Sequence, residues 1–197
     1  SEEVNIMPSS TWVHTSYVSG LIAEIKPKTI LDLGIGFGRW GFLCREILDV
    51  FQGRMIKETW QAKIIGVEIF EGYLGDAQQA IYEKIEVVDA ITYLVGHQGD
   101  VFDLIIAGDI LEHYPKELGH QLLDQVYRVA SKAAIICVPI GNKYPQKACL
   151  GNPYEEHKSV WEATEFQGDK RFTKLQCFTE AIKGRPYLVA LIDKRKA

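Results

Sequence analysis

Short apolar runs alternate with helix-length amphipathic segments along most of the chain. Runs of mostly apolar residues, bounded by Gly, Asp or Pro, predict five buried strands at residues 29–33, 63–68, 84–88, 102–107 and 133–138. Such runs are typical of a parallel sheet that is covered on both faces. The pattern therefore predicts strands that are buried in the middle of a layered domain.

Helix-length segments separate these strands, at residues 38–50, 71–82, 90–96 and 116–130, and a leading helix is predicted over residues 14–25. In the segment 116–130 the apolar residues recur at helical spacing, and Pro115 immediately precedes it, as is common at a helix start. Strand–helix–strand alternation predicts a parallel sheet with right-handed crossovers.

The alternation of strands and helices stops near the C-terminus. Two strand-like runs, residues 171–179 and 186–193, are joined by a short connection containing Gly184, with no long helix between them. They predict an antiparallel hairpin. The predicted fold is therefore α/β, with a doubly wound, mostly parallel sheet of seven strands that ends in a C-terminal antiparallel hairpin.

Composition narrows the function classes. The 197 residues predict one domain spanning residues 1–197, and 22 Lys and Arg against 26 Asp and Glu give a net charge of −4. This balance argues against a nucleic-acid binder that relies on a broad basic face. It favours a small-molecule substrate.

Targeting signals are not evident in the sequence. The longest apolar stretch, residues 133–140, is too short to cross a bilayer, and the acidic start at residues 1–3 leads into no signal-like apolar region. The four cysteines form no C-x-x-C pair, and Cys44 and Cys137 lie in apolar runs typical of core thiols. We expect a cytoplasmic protein that does not bind membranes.

The most informative stretch is the glycine loop, Asp32-Leu33-Gly34-Ile35-Gly36-Phe37-Gly38, which joins the first predicted strand to a helix. Glycine is needed where a backbone turns sharply or a ligand comes close. The following helix N-terminus offers unpaired N–H groups and a partial positive charge. The loop therefore predicts a cofactor site.

Two cofactor interpretations compete, beside that of a purely structural turn. Gly36-x-Gly38-x-x-Gly41 matches a dinucleotide fingerprint, which expects an acidic residue about 20 positions further on. The next strand-end acid, Glu68, lies 27 residues past Gly41, and Gly34 already ends the strand. The acidic Asp32 suits a ligand with positive charge better than a pyrophosphate.

The loop resembles motif I of the class I S-adenosylmethionine-dependent methyltransferases. Glu68 after the second strand resembles the family's acidic motif II residue, and Asp89 after the third resembles the motif III acid. Residues 103–113, which contain Leu-Glu-His, resemble the motif of the fourth strand, and the final hairpin matches the seventh. The resemblance implies a Rossmann-like sheet and S-adenosyl-L-methionine as cofactor. One departure is the long segment 49–62, which would lengthen the first helix or add a surface flap.

The resemblance also implies a set of cofactor contacts. Glu68 would accept hydrogen bonds from the ribose hydroxyls, and Asp89 one from the adenine amine. Ile69, Phe70 and Ile91 would enclose the base, with ordinary core packing as the alternative. The full set expected to bind the cofactor is Asp32, Gly34, Gly36, Gly38, Glu68, Ile69, Phe70, Asp89, Ala90 and Asp109.

The acceptor should lie beyond the carboxyl ends of the fourth and fifth strands. Residues 139–161 form a long aromatic-rich segment, which we expect to be a substrate lid. His113 is a candidate general base, or it simply caps the loop that follows it. His157, oriented by Glu155 or Glu156, competes for the same catalytic role.

We expect no metal site, because residues 139–142 (Pro-Ile-Gly-Asn) replace the Asp-Asn pair that divalent-metal catechol-type enzymes place after the fifth strand. The predicted activity is a metal-independent methyl transfer to a small-molecule oxygen, nitrogen or carbon by in-line displacement. The alternatives are an NAD(P)-dependent oxidoreductase, a cofactor-binding module without catalysis, and a methyltransferase acting on protein or nucleic acid.

Overall fold

Seven strands form one sheet in a computed structural model that describes residues 10–98, 101–142, 144–149, 151–180 and 183–196. The acidic start at residues 1–3 lies outside this range. The strands are β1 (Thr29–Leu33), β2 (Lys63–Glu68), β3 (Lys84–Val87), β4 (Phe102–Gly108), β5 (Ala130–Pro139), β6 (Lys174–Thr179) and β7 (Pro186–Asp193). No helix in these ranges is long and apolar enough to span a membrane.

The strand order in the sheet is β3-β2-β1-β4-β5-β7-β6. β1 lies between β2 and β4 and is parallel to both, whereas β7 is antiparallel to its neighbours β5 and β6. The predicted α/β architecture, with a mostly parallel sheet and a C-terminal hairpin, is therefore confirmed.

Helices cover both faces of the sheet. They are α1 (Thr15–Ile25), α2 (Arg39–Leu48), α3 (Asp76–Ile81), α4 (Ala90–Val95), α5 (Lys116–Val129) and α6 (Ala163–Gly168). One apolar core contains Ile22 and Cys44 beneath α1 and α2, and the other contains Leu94, Val126 and Phe166 beneath α4, α5 and α6. The strands between these cores are apolar on both faces, which explains their continuous hydrophobic runs.

Several element boundaries differ from the predicted ones. The segment 71–82 is a 3-10 turn (Glu71–Tyr73) followed by the short α3, and β5 extends beyond the predicted 133–138 at both ends. The first hairpin strand begins at Lys174 rather than at residue 171, and α6 was not predicted. Helix α6 has only six residues, so its apolar pattern was too short to detect.

The segment 49–62 does not lengthen α2, which ends at Leu48. Instead it forms two 3-10 turns that are organised around the buried carboxylate of Asp49. That carboxylate pairs with Arg45 at 2.5 Å and Arg54 at 2.8 Å, and it accepts the N–H of Gln61 at 2.8 Å. The segment is therefore a surface excursion fixed to the end of α2.

Candidate active site

A cavity of about 610 Å³ opens at the carboxyl ends of β1, β2 and β4. Gly34, Glu68 and Gly108 line it from these strand ends, and residues of the segment after β5 form the facing wall. The chain runs outward from β1 to β3 and then returns to β4, so this is the point where the strand order reverses. Open α/β sheets bind ligands at such points, and the volume suits a small molecule.

The glycine loop is held in place by its own hydrogen bonds. Gly34, Gly36 and Gly38 have φ values of 70°, 47° and 92°, which glycine adopts without steric cost. The Gly34 N–H donates to the carbonyl of Val67 at 2.8 Å, and the Gly36 N–H donates to Glu68 Oε2 at 3.0 Å. The loop is therefore fixed to β2, and Gly34 and Gly36 line the cavity.

The carboxylate of Glu68 connects this loop to the turn that directly follows β2. Its side chain is 6% exposed, and its Oε1 accepts the N–H of Phe70 at 3.0 Å. Burial raises the pKa of Glu68, against the effect of these backbone donors. A carboxylate has about four acceptor positions, so positions remain for ligand hydroxyls.

Asp32 lies beneath the glycine loop rather than in the cavity wall. It is 1% exposed, and its Oδ2 accepts the hydroxyl of Tyr82 at 2.6 Å and the N–H of Gly41 at 3.2 Å. Burial raises the pKa of Asp32 to about 7. In this position the carboxyl group ties β1 to α2, and a direct contact with a cofactor stays a prediction.

Asp89 caps α4 and lines the cavity together with Ala90. Its Oδ1 accepts the N–H of Thr92 at 2.9 Å, and its Oδ2 accepts the hydroxyl of Tyr114 at 2.6 Å. Tyr114 follows β4, so this hydrogen bond crosses from the fourth-strand loop to the third-strand loop. The contact draws two distant segments together over the cavity.

Asp109 follows β4 with a φ of 55°, a left-handed conformation that costs a non-glycine residue about 1–2 kcal/mol. Its N–H donates to the carbonyl of Cys137 at 2.9 Å, and its carboxylate accepts the hydroxyl of Tyr187. Burial raises the pKa of Asp109 to about 7. Backbone strain of this kind is concentrated at functional sites in proteins.

The three apolar residues that were expected to enclose a base differ in their surroundings. Ile69 lines the cavity. Phe70 packs edge-on against Tyr73, with ring centroids 4.8 Å apart, and Ile91 packs against the core beneath α4 and α5. In the structure only Ile69 of the three contributes to the cavity wall.

The segment after β5 is joined to the fourth-strand loop through the backbone of Glu112. The Glu112 carbonyl accepts the N–H groups of Lys158 at 2.7 Å and Ser159 at 3.1 Å. This clamp brings His157 against His113, with ring centroids 4.9 Å apart and planes nearly perpendicular. The two histidines that the sequence offered as competing bases are therefore neighbours in one wall.

Burial shapes the charge state of this wall. Glu112 is 2% exposed, its Oε2 has no hydrogen-bond partner among the described residues, and burial raises its pKa. Burial lowers the pKa of His113, and so does the nearby His157, whose own pKa is lowered by burial. Both imidazoles are therefore held neutral near pH 7, the state in which histidine accepts a proton.

No protein-family model matches the chain, and no curated protein matches it by sequence. Solved structures do match it. A SAM dependent methyltransferase from Archaeoglobus fulgidus aligns with a TM-score of 0.59 at 18% identity, covering 91% of this chain and 94% of that chain. The 1,6-didemethyltoxoflavin-N1-methyltransferase of Burkholderia thailandensis aligns with a TM-score of 0.62 at 16% identity, covering 98% and 79%.

This chain has the class I S-adenosylmethionine-dependent methyltransferase fold. The magnesium protoporphyrin IX methyltransferase of Synechocystis PCC 6803 agrees, with a TM-score of 0.55 at 17% identity, covering 96% of this chain and 88% of that chain. The resemblance drawn from the glycine loop and the strand-end acids is therefore confirmed at the level of fold.

The methyltransferase fold gathers most of the predicted site residues around one cavity. These are Gly34, Gly36, Glu68, Ile69, Asp89, Ala90, Asp109, His113 and His157. Asp32, Gly38 and Phe70 lie outside the cavity lining. Sequence analysis missed Arg39, Tyr73 and Tyr187, which also line it. Arg39 was adjacent to the motif and could have been found, whereas Tyr73 and Tyr187 reach the cavity through long-range contacts.

Proposed function

We propose that this protein transfers a methyl group from S-adenosyl-L-methionine to a small-molecule acceptor by in-line displacement. The observation that carries the proposal is the alignment of the glycine loop, Glu68 and Asp89 at the ends of three adjacent strands around one cavity. The structures from Burkholderia and Synechocystis hold S-adenosylhomocysteine and S-adenosylmethionine respectively, which supports the choice of cofactor.

Each end of the cofactor has a matching group. Glu68 accepts the vicinal ribose hydroxyls, because a carboxylate can take two donors at once. Asp89 accepts from the adenine amine at the far end, and Ile69 packs against the base. The glycine loop receives the methionine end near Gly34 and Gly36, where the absence of side chains allows close approach.

The acceptor occupies the part of the cavity between Asp109 and the two histidines. A sulfonium methyl is already reactive, so the protein mainly aligns the nucleophile with the carbon–sulfur bond and excludes water. For a hydroxyl acceptor, the O–H proton leaves at the histidine wall as the oxygen–carbon bond forms. The carbon–sulfur bond breaks, and the sulfonium becomes a neutral thioether.

A small molecule suits the size of this cavity and the net charge of −4 better than a nucleic acid does. Two of the similar structures are named for small-molecule substrates, a didemethyltoxoflavin and a magnesium protoporphyrin. Residues 139–142 give no Asp-Asn pair after β5, so a catechol-type magnesium ion has no part in the proposal. A cytoplasmic location stays a prediction.

Isothermal titration calorimetry with S-adenosylhomocysteine, run beside NADH, tests the cofactor. We expect micromolar binding of S-adenosylhomocysteine and none of NADH. Binding of NADH alone would overturn the proposal in favour of an oxidoreductase. Cofactor binding followed by no methyl transfer to any hydroxylated, amino or carbon acceptor in a broad screen would favour a binding module without catalysis.

Glu68→Ala tests the ribose assignment. Loss of charge-assisted hydrogen bonds should weaken binding of S-adenosylhomocysteine by about 1.5–3 kcal/mol, or about 10- to 150-fold. Glu71→Ala is a matched control, because Glu71 is an exposed acid just after the same strand. Equal affinities of the two variants would refute the role of Glu68.

A further inference from the structure

Three side chains that can bind a metal converge in the cavity wall formed by the loop after β4 and the segment after β5. The carboxylate of Glu112 and the rings of His113 and His157 place one ligand atom each within 4.8 Å of the others, and all three residues line the cavity. Two imidazoles and one carboxylate form a donor set that proteins use for divalent first-row transition ions such as Zn²⁺ and Fe²⁺. This set lies after β4 and is distinct from the Asp-Asn position after β5.

We propose that Glu112, His113 and His157 bind one divalent transition-metal ion, whose remaining coordination positions open toward the acceptor. With three protein ligands, such an ion keeps at least one position for water or substrate. The arrangement is that of an open catalytic site rather than of a closed structural one.

The surroundings of the Glu112 side chain support the proposal independently. Its Oε2 is buried without a hydrogen-bond partner, and no Lys or Arg forms an ion pair with it among the described residues. An ionised carboxylate buried without a partner is costly, and native proteins usually pair such a group or use it to coordinate a metal. A bound cation would satisfy this atom.

His113 is also oriented as metal-binding histidines usually are. His113 Nδ1 lies 3.3 Å from the carbonyl of Glu156, so this nitrogen must carry the proton in order to donate. Metal-binding histidines commonly use one nitrogen for such a carbonyl and present the other to the ion.

The distances require only a small adjustment. Zinc bonds to nitrogen and oxygen of about 2.0–2.2 Å hold tetrahedral ligand atoms about 3.3–3.6 Å apart, so the cluster must tighten by about 1 Å. Side-chain rotation can supply this. The N–H groups of Lys158 and Ser159 already hold the His157 segment against the Glu112 carbonyl.

The metal site extends the proposed methyl transfer, because it indicates which class of acceptor the protein uses. This part of the inference rests on the proposed function. A hydroxyl oxygen that coordinates the ion has a lowered pKa, so its proton leaves to solvent before the oxygen attacks the methyl carbon. With the ion bound, His113 and His157 act as ligands, and the proton that they would accept in its absence goes to solvent instead. This replaces the sequence-based expectation of a metal-independent reaction and favours an oxygen acceptor.

The test begins with the full chain stripped of metal by a chelator and then titrated with Co²⁺, followed by visible absorption. We expect one Co²⁺ per chain, displaced by one Zn²⁺ in competition. Glu112→Gln and His157→Ala should each weaken binding by more than the roughly 10- to 100-fold that loss of an outer-shell partner costs. His120→Ala is the matched control, since it removes an exposed imidazole outside the cluster and should retain one equivalent.

Binding that is absent, or that survives both cluster substitutions unchanged, would overturn the metal site. Glu112→Gln preserves side-chain size and His157 is partly exposed, so circular dichroism melts close to those of the native chain are expected. Titration of each variant with S-adenosylhomocysteine separates the two proposals. In the native chain, cofactor binding without metal binding would refute only the site, and metal binding without cofactor binding would refute only the methyl transfer. A variant of Glu112 or His157 that loses the metal and still binds the cofactor supports both.

Discussion

The two walls of the cavity are built in different ways. The cofactor wall is a short loop fixed to adjacent strands, where Val67 and Glu68 accept the N–H groups of Gly34 and Gly36. The wall that we propose binds the acceptor, the acceptor wall, comes from the long segment after β5. It is joined to the fourth-strand loop by hydrogen bonds that include two to the carbonyl of Glu112 and one to that of Leu111. A rigid sheet edge suits an invariable cofactor, and a long segment on the same scaffold suits an acceptor that varies between enzymes.

The buried contacts beneath the two walls, which we call their foundations, differ as well. Beneath the glycine loop, Tyr82, Asp32 and Gly41 form a fully buried hydrogen-bonded contact. Beneath the acceptor segment, Trp161 is buried with the Lys116 ammonium 3.7 Å from its ring, and Lys116 also reaches the surface residue Glu165. The cofactor wall should therefore be the more sensitive of the two to substitutions that change packing.

Gly41→Ala should give the largest effect. A Cβ at this position would lie 2.3 Å from Cζ of the buried Tyr82 ring, so the ring must move and its bond to Asp32 must break. Overpacking and a lost buried hydrogen bond together should lower the free energy of unfolding by about 2–6 kcal/mol. Urea denaturation measures this value.

Gly20→Ala is the control for that experiment. Gly20 is exposed in α1, and a Cβ there would meet nothing within 4 Å. Alanine should raise the free energy of unfolding by about 0.5–1 kcal/mol, because it is the better helix former. If both variants lost stability equally, the contact between Gly41 and Tyr82 would not be the cause.

The carboxyl group of Asp32 should make the same foundation sensitive to pH. Its pKa of about 7 in the folded protein exceeds the value of about 3.9 in an unfolded chain. Between these values the folded state keeps a proton that the unfolded state has lost, so the contribution of Asp32 to stability is greatest below about pH 4 and falls as the pH rises to 7.

Asp32→Asn should remove this part of the pH dependence. Asparagine cannot ionise and keeps an oxygen for Tyr82 and Gly41, so the stability of the variant relative to the native chain should rise by about 3–4 kcal/mol between pH 4 and pH 8. Urea denaturation across this range measures the difference. A constant difference at every pH would show that Asp32 titrates normally.

The cofactor wall could be predicted from sequence because its signals are local. The glycine loop directly follows a buried strand, and Glu68 and Asp89 each directly follow another, so the sheet brings them to one edge. Asp32 shows the limit of this reasoning. It belongs to the same motif, but its partner Tyr82 lies 50 residues away and turns the carboxylate into the core.

The acceptor wall could be predicted only in outline. Long loop length and aromatic content identified the segment 139–161, and His113 and His157 were both named, but as competitors. That they meet depends on hydrogen bonds from Lys158 and Ser159 to Glu112, which join residues more than 40 positions apart. No local pattern in either segment encodes this pairing.

Tyr73→Phe should have the smallest effect. It tests whether a loss of stability in one wall spreads to the other. Tyr73 follows β2 on the cofactor side, and its hydroxyl donates to Glu155 Oε1 at 2.8 Å on the acceptor side. Gln146 also holds Glu155: its side-chain Nε2 donates to the backbone carbonyl of Glu155 at 2.7 Å and to Glu155 Oε2 at 3.0 Å. Loss of one such bond should cost about 0.5–1.5 kcal/mol, because the phenyl ring still packs in place.

Amide hydrogen exchange shows where that cost is located. If the walls are independent in stability, protection should fall at residues 151–159 while the glycine loop and the affinity for S-adenosylhomocysteine stay unchanged. Gln146→Ala should produce the same pattern, since it removes the other support of Glu155 from within the acceptor segment. Equal loss of protection in both walls would mean that the cofactor and acceptor sides open as one unit, and the division between a rigid and an adaptable wall would then be wrong.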